Sequence, residues 1–379
     1  MSESNKKHIY LDYNATTPVH PQVLQSMLPY FTTHFGNPSS SLHEWGWVAE
    51  QAVENARQQV ASLLGATSPE IYFTSGATES LNWAIKSIVE VYKNKGNHII
   101  TTLVEHSAVL AVLRFLEQKQ KIQLTYLEVD TNGQINIHDL QNAVQDTTIA
   151  VIIGYANNET GILQTQMAAI SQIVHSKKAI VLSDTTQAVG KIKTLVDELG
   201  IDIACVSGHK IYAPKGVGAI YIRRKNPRVV MEAMLHGGEQ ENDLRAGTLN
   251  VPGIVGLGKA CELAKQELAH YQNHTKSLQN TLESLLTTKN NSIHIIGKNT
   301  PRLPNTSAIY FEEHSAADIV KIASTVGFSI GSACNSNSKA SHVLLAMHFS
   351  EKMTKNTIRI STGWDTTQED IHYFCNQIV

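Results

Sequence analysis

Cysteine is scarce in this chain. Four residues, at 205, 261, 334 and 375, are spread over 379 positions with no CxxC pair and no zinc-ligand spacing. That usage fits a reducing cytosol, so a cytoplasmic location is expected. Excess charge is also missing: 31 basic residues stand against 33 acidic ones, a formal charge of −2. Nothing therefore suggests a nucleic-acid or membrane-binding surface. No run approaches a membrane span, and Met1-Ser-Glu-Ser-Asn-Lys-Lys7 leads into Ile9-Tyr-Leu11 without an apolar signal core. The 17 histidines are scattered and form no metal-like cluster, so no intrinsic metal is expected. Internal repeats and low-complexity tracts are absent.

What is present is an alternation of strands and helices. Strands are expected at Ile71–Thr74, His98–Thr102, Ile122–Leu127, Ile149–Ile153 and Ala179–Ser183. Helices are expected at Pro21–Phe31, Trp47–Leu64, Ser107–Gln118 and Met167–Ser176, with a loop over Phe35–His43. A further helix is marked by Leu81, Ala84, Ile85, Ile88 and Val89, which share one face. This order predicts an α/β fold with a mainly parallel sheet flanked by helices. Beyond about Pro252 a long helical stretch, Ile254–Leu286, is followed by short strands at Ile293–Ile296, Ser307–Phe311 and Thr357–Ser361. The expected organisation is a large domain over 16–252 and a smaller α+β domain built from 1–15 and 253–379. A chain of this length can bury a core shared by two domains.

The chemistry centres on Ile201–Ile220. Two apolar β-rich runs flank the turn that carries Ser207-Gly-His-Lys210. A lone lysine on such a turn is ordinarily a surface residue. Its company changes the reading: Asp184 ends another apolar run, Ala179-Ile-Val-Leu-Ser-Asp184, and Gln187 follows. A desolvated lysine is a usable amine nucleophile. An amine at one strand end and an acid at the next is what a pyridoxal phosphate site needs, as Schiff-base former and as partner of the pyridinium nitrogen.

Other residues gather round that pair. The turn Ser75-Gly-Ala-Thr78 opens a helix, so Ala77 and Thr78 could bring N–H groups and a hydroxyl to a phosphate. An ordinary Ser/Thr helix cap explains the same residues. Ser207 and His209 could close the cup. His106 follows a strand whose end faces the proposed pocket; it reads as a ring-stacking proton carrier or as a helix cap. Asn158 could donate to a ring oxygen, whereas Asn157 reads as a plain polar turn residue. Arg359 alternates with Ile358 and Ile360, and reads either as a carboxylate clamp or as half of a structural ion pair. Cys205, Cys261 and Cys375 lie in or beside apolar runs, as buried thiols do. Cys334 instead stands in Gly331-Ser-Ala-Cys-Asn-Ser-Asn-Ser-Lys-Ala-Ser341, which lacks a large apolar anchor, and is the expected travelling nucleophile.

Taken in order, Tyr10-Leu-Asp-Tyr-Asn-Ala-Thr-Thr17, Gly36-Asn-Pro-Ser-Ser40, Phe73-Thr-Ser-Gly-Ala-Thr-Glu-Ser80, Glu105-His106, Asn157-Asn-Glu159, Ser207-Gly-His-Lys-Ile-Tyr212, Arg245-Ala-Gly-Thr248 and Gly331-Ser-Ala-Cys334 span nearly the whole chain. In these the sequence resembles the cysteine desulfurases of the NifS/IscS type, class V aminotransferase-like pyridoxal phosphate enzymes. The resemblance implies a fold type I homodimer that converts L-cysteine to L-alanine, holds the sulfur as a persulfide on Cys334, and supplies it to iron–sulfur cluster assembly or another thiolation pathway. Lys210 would carry the cofactor, Asp184 pair with its ring nitrogen and His106 stack on the ring. Gln187 and Asn158 would contact the ring oxygen or substrate, and Ala77, Thr78, Ser207 and His209 the phosphate. Thr248 would reach the cofactor phosphate of the neighbouring subunit. Arg359, Asn158 and Asn37 would bind substrate, and a sulfur acceptor or scaffold protein would be the partner. Thr185, Ala246 and Trp364 depart from the family pattern, where Ala, Ser and Arg are usual. The chain ends at Val379, short of the tail with which some members dock their scaffold. An aminotransferase, a selenocysteine-preferring lyase and an inactive scaffold remain as rival readings.

Overall fold

The computed structural model describes residues 8–330 and 340–378; Cys334 lies outside the described residues. A two-residue strand, β1 (Ile9–Tyr10), precedes the strands of the central sheet. These are β2 (Ile71–Thr74), β3 (His98–Thr102), β4 (Gln123–Leu127), β5 (Thr148–Ile152), β6 (Ile180–Asp184), β7 (Ile203–Ser207) and β8 (Gly218–Ile222). Their spatial order is β2-β8-β7-β6-β5-β3-β4. The pairings of β3, β4, β5, β6 and β7 are parallel, and β8 runs antiparallel to both β2 and β7. The expected mainly parallel sheet is present.

Successive residues of one strand feed opposite faces. Ala204 and Val206 pack in one apolar cluster, while Ile203 and Cys205 pack in another. Both faces are covered, which is why these strands read as unbroken apolar runs rather than as alternating ones. Strand order reverses between β3 and β5, and the carboxyl ends of strands at such a reversal leave a crevice for ligands.

The second sheet contains β9 (Ile293–Ile295), β10 (Thr306–Phe311), β12 (Ser329–Ile330) and β13 (Thr357–Ser361) in the antiparallel order β12-β13-β10-β9. Between β10 and β12 in sequence, β11 (Val326–Gly327) pairs in parallel with β1. Ile9 and Leu11 pack in the same cluster as Leu278, Ile309 and Ile358, so the N-terminal segment shares the core of this second sheet.

Two expected helices are each divided. Pro29 lacks an N–H and separates Pro21–Met27 from Pro29–Thr32. The stretch after Pro252 splits at Glu267 into Val251–Gln266 and Leu268–Lys289. No glycine or proline marks that break. Helix Glu44–Leu64 begins three residues earlier than its apolar pattern, because the His43 ring accepts from the Gly46 N–H and caps it. No described helix is long and apolar enough to cross a membrane.

Candidate active site

The ends of β2, β3, β5, β6 and β7 and the polar N-terminal segment border a cavity of about 700 Å³. On one side, β7 ends at Ser207 and a 3-10 turn, Gly208–Lys210, follows. The Lys210 Nζ donates to the carbonyl oxygens of Asn14 and Ala15, at 2.7 Å each. Asp184 closes β6 at the next strand end, with its Oδ1 accepting from the Thr186 N–H at 3.0 Å. Lys210 and Asp184 both line the cavity.

The turn before helix Ala77–Val91 lies beside Ser207. Gly76 has φ +149°, a conformation side chains resist, and a Cβ there would lie 3.7 Å from the Ser207 Oγ. Gly218 faces it: an added Cβ would come within 2.6 Å of the Gly76 Cα and 2.5 Å of the Val206 carbonyl oxygen. The two glycines let three backbone segments meet around the first turn of that helix, where N–H groups and dipole favour an anion. Arg245 is ion-paired at 3.0 Å to Glu79 of the same turn, and this ties Arg245-Ala-Gly-Thr248 to the cup. His209 rests its Nδ1 3.2 Å from the Thr16 Oγ1. Burial, with the charges of Lys210, Lys215 and Lys191, pushes its pKa down to about 4, so in this frame it is a neutral imidazole.

His106 follows β3, realises its cap reading and borders the cavity. Its Nδ1 accepts from the Ala108 N–H at 3.1 Å, capping helix Ser107–Gln118, while the ring lines the cavity. Burial lowers its pKa, Asp184 opposes that shift, and Lys210 and His342 add to it. Opposite, the Arg359 guanidinium donates to the Asn158 carbonyl (2.8 Å), the Asp12 Oδ1 (2.7 Å) and the Ser329 Oγ (2.8 Å). The ion-pair reading of Arg359 is thus realised, with Asp12 as partner, and the residue still lines the cavity. Its Nε is buried and has no hydrogen-bond partner among the described residues.

The chain matches the model of the family described as Aminotransferase class-V over residues 9–374. The chain belongs to this family. A protein named cysteine desulfurase IscS from Rickettsia massiliae (strain Mtu5) is 43% identical over 371 residues, covering 98% of this chain and 90% of that one. Its counterpart from Rickettsia prowazekii (strain Madrid E) matches to the same extent. Among solved structures, a NifS-like protein superposes with a TM-score of 0.89 at 37% identity, covering 98% of each chain. A structure titled SspA in complex with cysteine gives 0.82 at 34% identity, covering 94% of this chain and 99% of that one.

Pyridoxal phosphate is the cofactor of class V aminotransferases, and the cavity fits it. The amine of Lys210, the carboxylate of Asp184, the ring of His106 and the glycine-lined cup of Gly76 and Gly218 all border one space. Ala77, Thr78, Asn158, Gln187, Ser207 and His209 border it too. Asn37 and Thr248 do not. Both are exposed away from the cavity of this chain, and the Asn37 Oδ1 accepts from the Ser39 N–H at 3.0 Å in a local turn. Asn157 keeps its reading as a turn residue, its Oδ1 accepting from the N–H groups of Glu159 and Thr160. Thr185, in place of the usual alanine, is fully buried and donates to the Cys205 carbonyl at 2.8 Å, so its hydroxyl is satisfied. Sequence reasoning missed Asn14, Glu159 and His342 as wall residues.

Glu105, next to His106, is buried, with Thr102 and the Gly154 N–H donating to its two oxygens at 2.9 Å each. Burial raises its pKa from 4.5 to about 8; those two hydrogen bonds oppose the shift and Asp184 adds to it. A folded-state pKa above the unfolded one means stability is full below about 4.5, declines as pH rises and levels off above about 8. Glu105→Gln keeps the shape and cannot ionise. The melting temperature of the variant, measured against wild type at pH 5, 7 and 9, should therefore gain on the wild type across that window. A constant difference would show that the carboxyl does not titrate there.

Proposed function

We propose that the chain is a pyridoxal phosphate-dependent cysteine desulfurase, acting on L-cysteine and passing its sulfur to an acceptor. The observation that carries this reading is the cavity that joins Lys210 and Asp184 on one side to the glycine cup and Arg359 on the others. The bound cofactor supplies an electron sink that acidifies the substrate α-carbon. Lys210 would attach it and would be placed to carry the α-proton, with His106 as the alternative carrier and the residue that would pack on the ring. Asp184 would pair with the ring nitrogen. Gln187 and Asn158 would offer donors to the ring oxygen or the substrate, while Ala77, Thr78, Ser207 and His209 would hold the phosphate.

The Cys334 thiolate attacks the substrate sulfur. An S–S bond forms, the C–S bond breaks with its electron pair left on carbon, and that carbon takes a proton to give alanine. The persulfide left on Cys334 is the sulfur delivered to an acceptor, an iron–sulfur scaffold or another thiolation partner.

A homodimer completes the site. Phe35, Leu42, Trp45 and Trp47 are 67, 92, 56 and 53% exposed, an apolar surface that a second copy would cover. Asn37 lies within that stretch, and in a dimer it and Thr248 would be available to the neighbour's cavity. The even charge and scarce cysteine support a cytoplasmic location and no direct nucleic-acid binding.

The test compares L-cysteine with cysteamine, which lacks the carboxylate, in wild type and Arg359→Lys. Wild type should release alanine and sulfide from cysteine and turn over cysteamine poorly. A point charge cannot reproduce the guanidinium fork. A charge-assisted pair contributes about 1.5–3 kcal/mol, so kcat/KM for cysteine should fall on the order of 10- to 150-fold in the variant. Cysteamine should lose little further. Equal losses on both substrates would make Arg359 only the ion-pair partner of Asp12. Transamination in place of alanine release from wild type would refute the desulfurase reading itself.

A further inference from the structure

Lys191 is 2% exposed, and its Nζ lies 2.6 Å from the Gln187 Oε1 and 3.0 Å from the Asn14 Oδ1. The charges that act on it are those of Lys210 and Arg359, which with burial push its pKa well below the usual lysine value. Among the described residues no carboxylate forms an ion pair with it. Burying an ammonium without a carboxylate is costly, and a methionine would fill the same space without that cost. Lys191 also lines a second, smaller cavity of about 160 Å³ whose wall includes Lys210, so it stands behind the main site.

Its two contacts explain its position. The ends of an amide are alike in shape, and only hydrogen bonding decides which way it points. The Lys191 Nζ, ammonium or amine, donates to the Gln187 Oε1, and that leaves the Gln187 Nε2 as the end donating to the Asn14 carbonyl at 3.0 Å. The same carbonyl oxygen accepts from the Lys210 Nζ. The Asn14 side chain is pinned as well: its Oδ1 accepts from Lys191 and from the Asn305 Nδ2 (3.1 Å), and its Nδ2 donates to the Thr306 Oγ1 (2.9 Å). One buried lysine thus fixes the amide at the cavity wall and the residue whose carbonyl receives the amine of Lys210.

We propose that Lys191 is a positioning residue for the cofactor site. By donating to the Gln187 Oε1 and the Asn14 Oδ1 it fixes the amide so that Nε2, with one N–H on the Asn14 carbonyl, offers its other N–H to the cofactor ring oxygen. The inference rests on the pyridoxal phosphate reading given above, and its test separates the two.

Pyridoxal phosphate is titrated into cofactor-free wild type, Lys191→Met, Gln187→Ala and the double variant, and its dissociation constant is read from the visible band. Each single change should weaken binding about tenfold, the worth of one well-made hydrogen bond in a closed site. The double variant should bind within about twofold of Gln187→Ala, since Lys191 acts through Gln187. Gln187→Glu keeps an oxygen for Lys191 to grip but has no N–H to present, so it should weaken binding as much as Gln187→Ala. A Lys191→Met loss of the same size with and without Gln187 would mean that Lys191 merely packs. Should Lys191→Met fail to fold, Gln187→Glu decides alone: binding as tight as wild type overturns the proposal. A wild type that forms no visible band overturns the cofactor reading, and this inference with it.

Discussion

Lys210→Ala should bring alanine and sulfide formation from L-cysteine to a halt, with a loss of at least about 10⁴-fold. That is the upper end of what one positioned proton carrier contributes, and here the same amine also attaches the cofactor. The visible band that borohydride erases in the wild type should be absent from the variant. The fold should persist, because the turn does not depend on the side chain. The N–H groups of Ile211 and Ala213 both donate to the Gly208 carbonyl, and the Thr17 N–H donates to the His209 carbonyl. Circular dichroism and gel filtration should therefore match the wild type. Desulfuration at a normal rate by Lys210→Ala would remove this residue from the centre of the reading.

Much of this architecture was legible in the sequence because the physics is local. Ile203–Ser207 and Ile180–Asp184 are apolar runs ended by polar residues, and a strand buried on both faces leaves that trace. Alternation placed Arg359 correctly: Ile358 and Ile360 enter the core of the second sheet while the guanidinium leaves by the other face.

The remainder was hidden because it is assembled from distant pieces. Asn14 meets Lys210, Gln187 and Thr306, partners 173 or more positions away, and nothing in its neighbours foretells them. Lys191 sits beside Val189, Gly190 and Ile192 with no local sign that its amine is enclosed rather than solvated. The helix break at Glu267, where φ is −102° and ψ 8°, has no breaker residue to announce it. His106 was read as either cap or site residue, and the two are compatible because the cap engages Nδ1 alone while the ring borders the cavity.

Cys334→Ser should separate cofactor chemistry from sulfur transfer more sharply than any other change. Three of the four cysteines are buried, Cys205 beneath the sheet end and Cys261 and Cys375 in the cores. Burial pushes the Cys205 thiol well up, and Cys261 and Cys375 up to about 12, so none of them supplies a thiolate near neutral pH. Cys334 remains, outside the described residues, in a segment whose flanking positions Ile330, Ala340 and Ser341 all line the cavity. A serine hydroxyl holds its proton near neutral pH and attacks sulfur poorly. The variant should bind pyridoxal phosphate with wild-type affinity and change its visible spectrum when L-cysteine is added, since those steps use Lys210, Asp184 and His106. With a reductant present, sulfide and alanine should nonetheless stay at background. Mass spectrometry after exposure to L-cysteine should show one added sulfur atom on wild type, on the peptide containing Cys334, and none on the variant. Alanine and sulfide from Cys334→Ser in normal amounts would rule out the persulfide route. Catalysis would then rest on the Lys210 side of the cavity alone, with sulfur leaving as sulfide directly from the substrate.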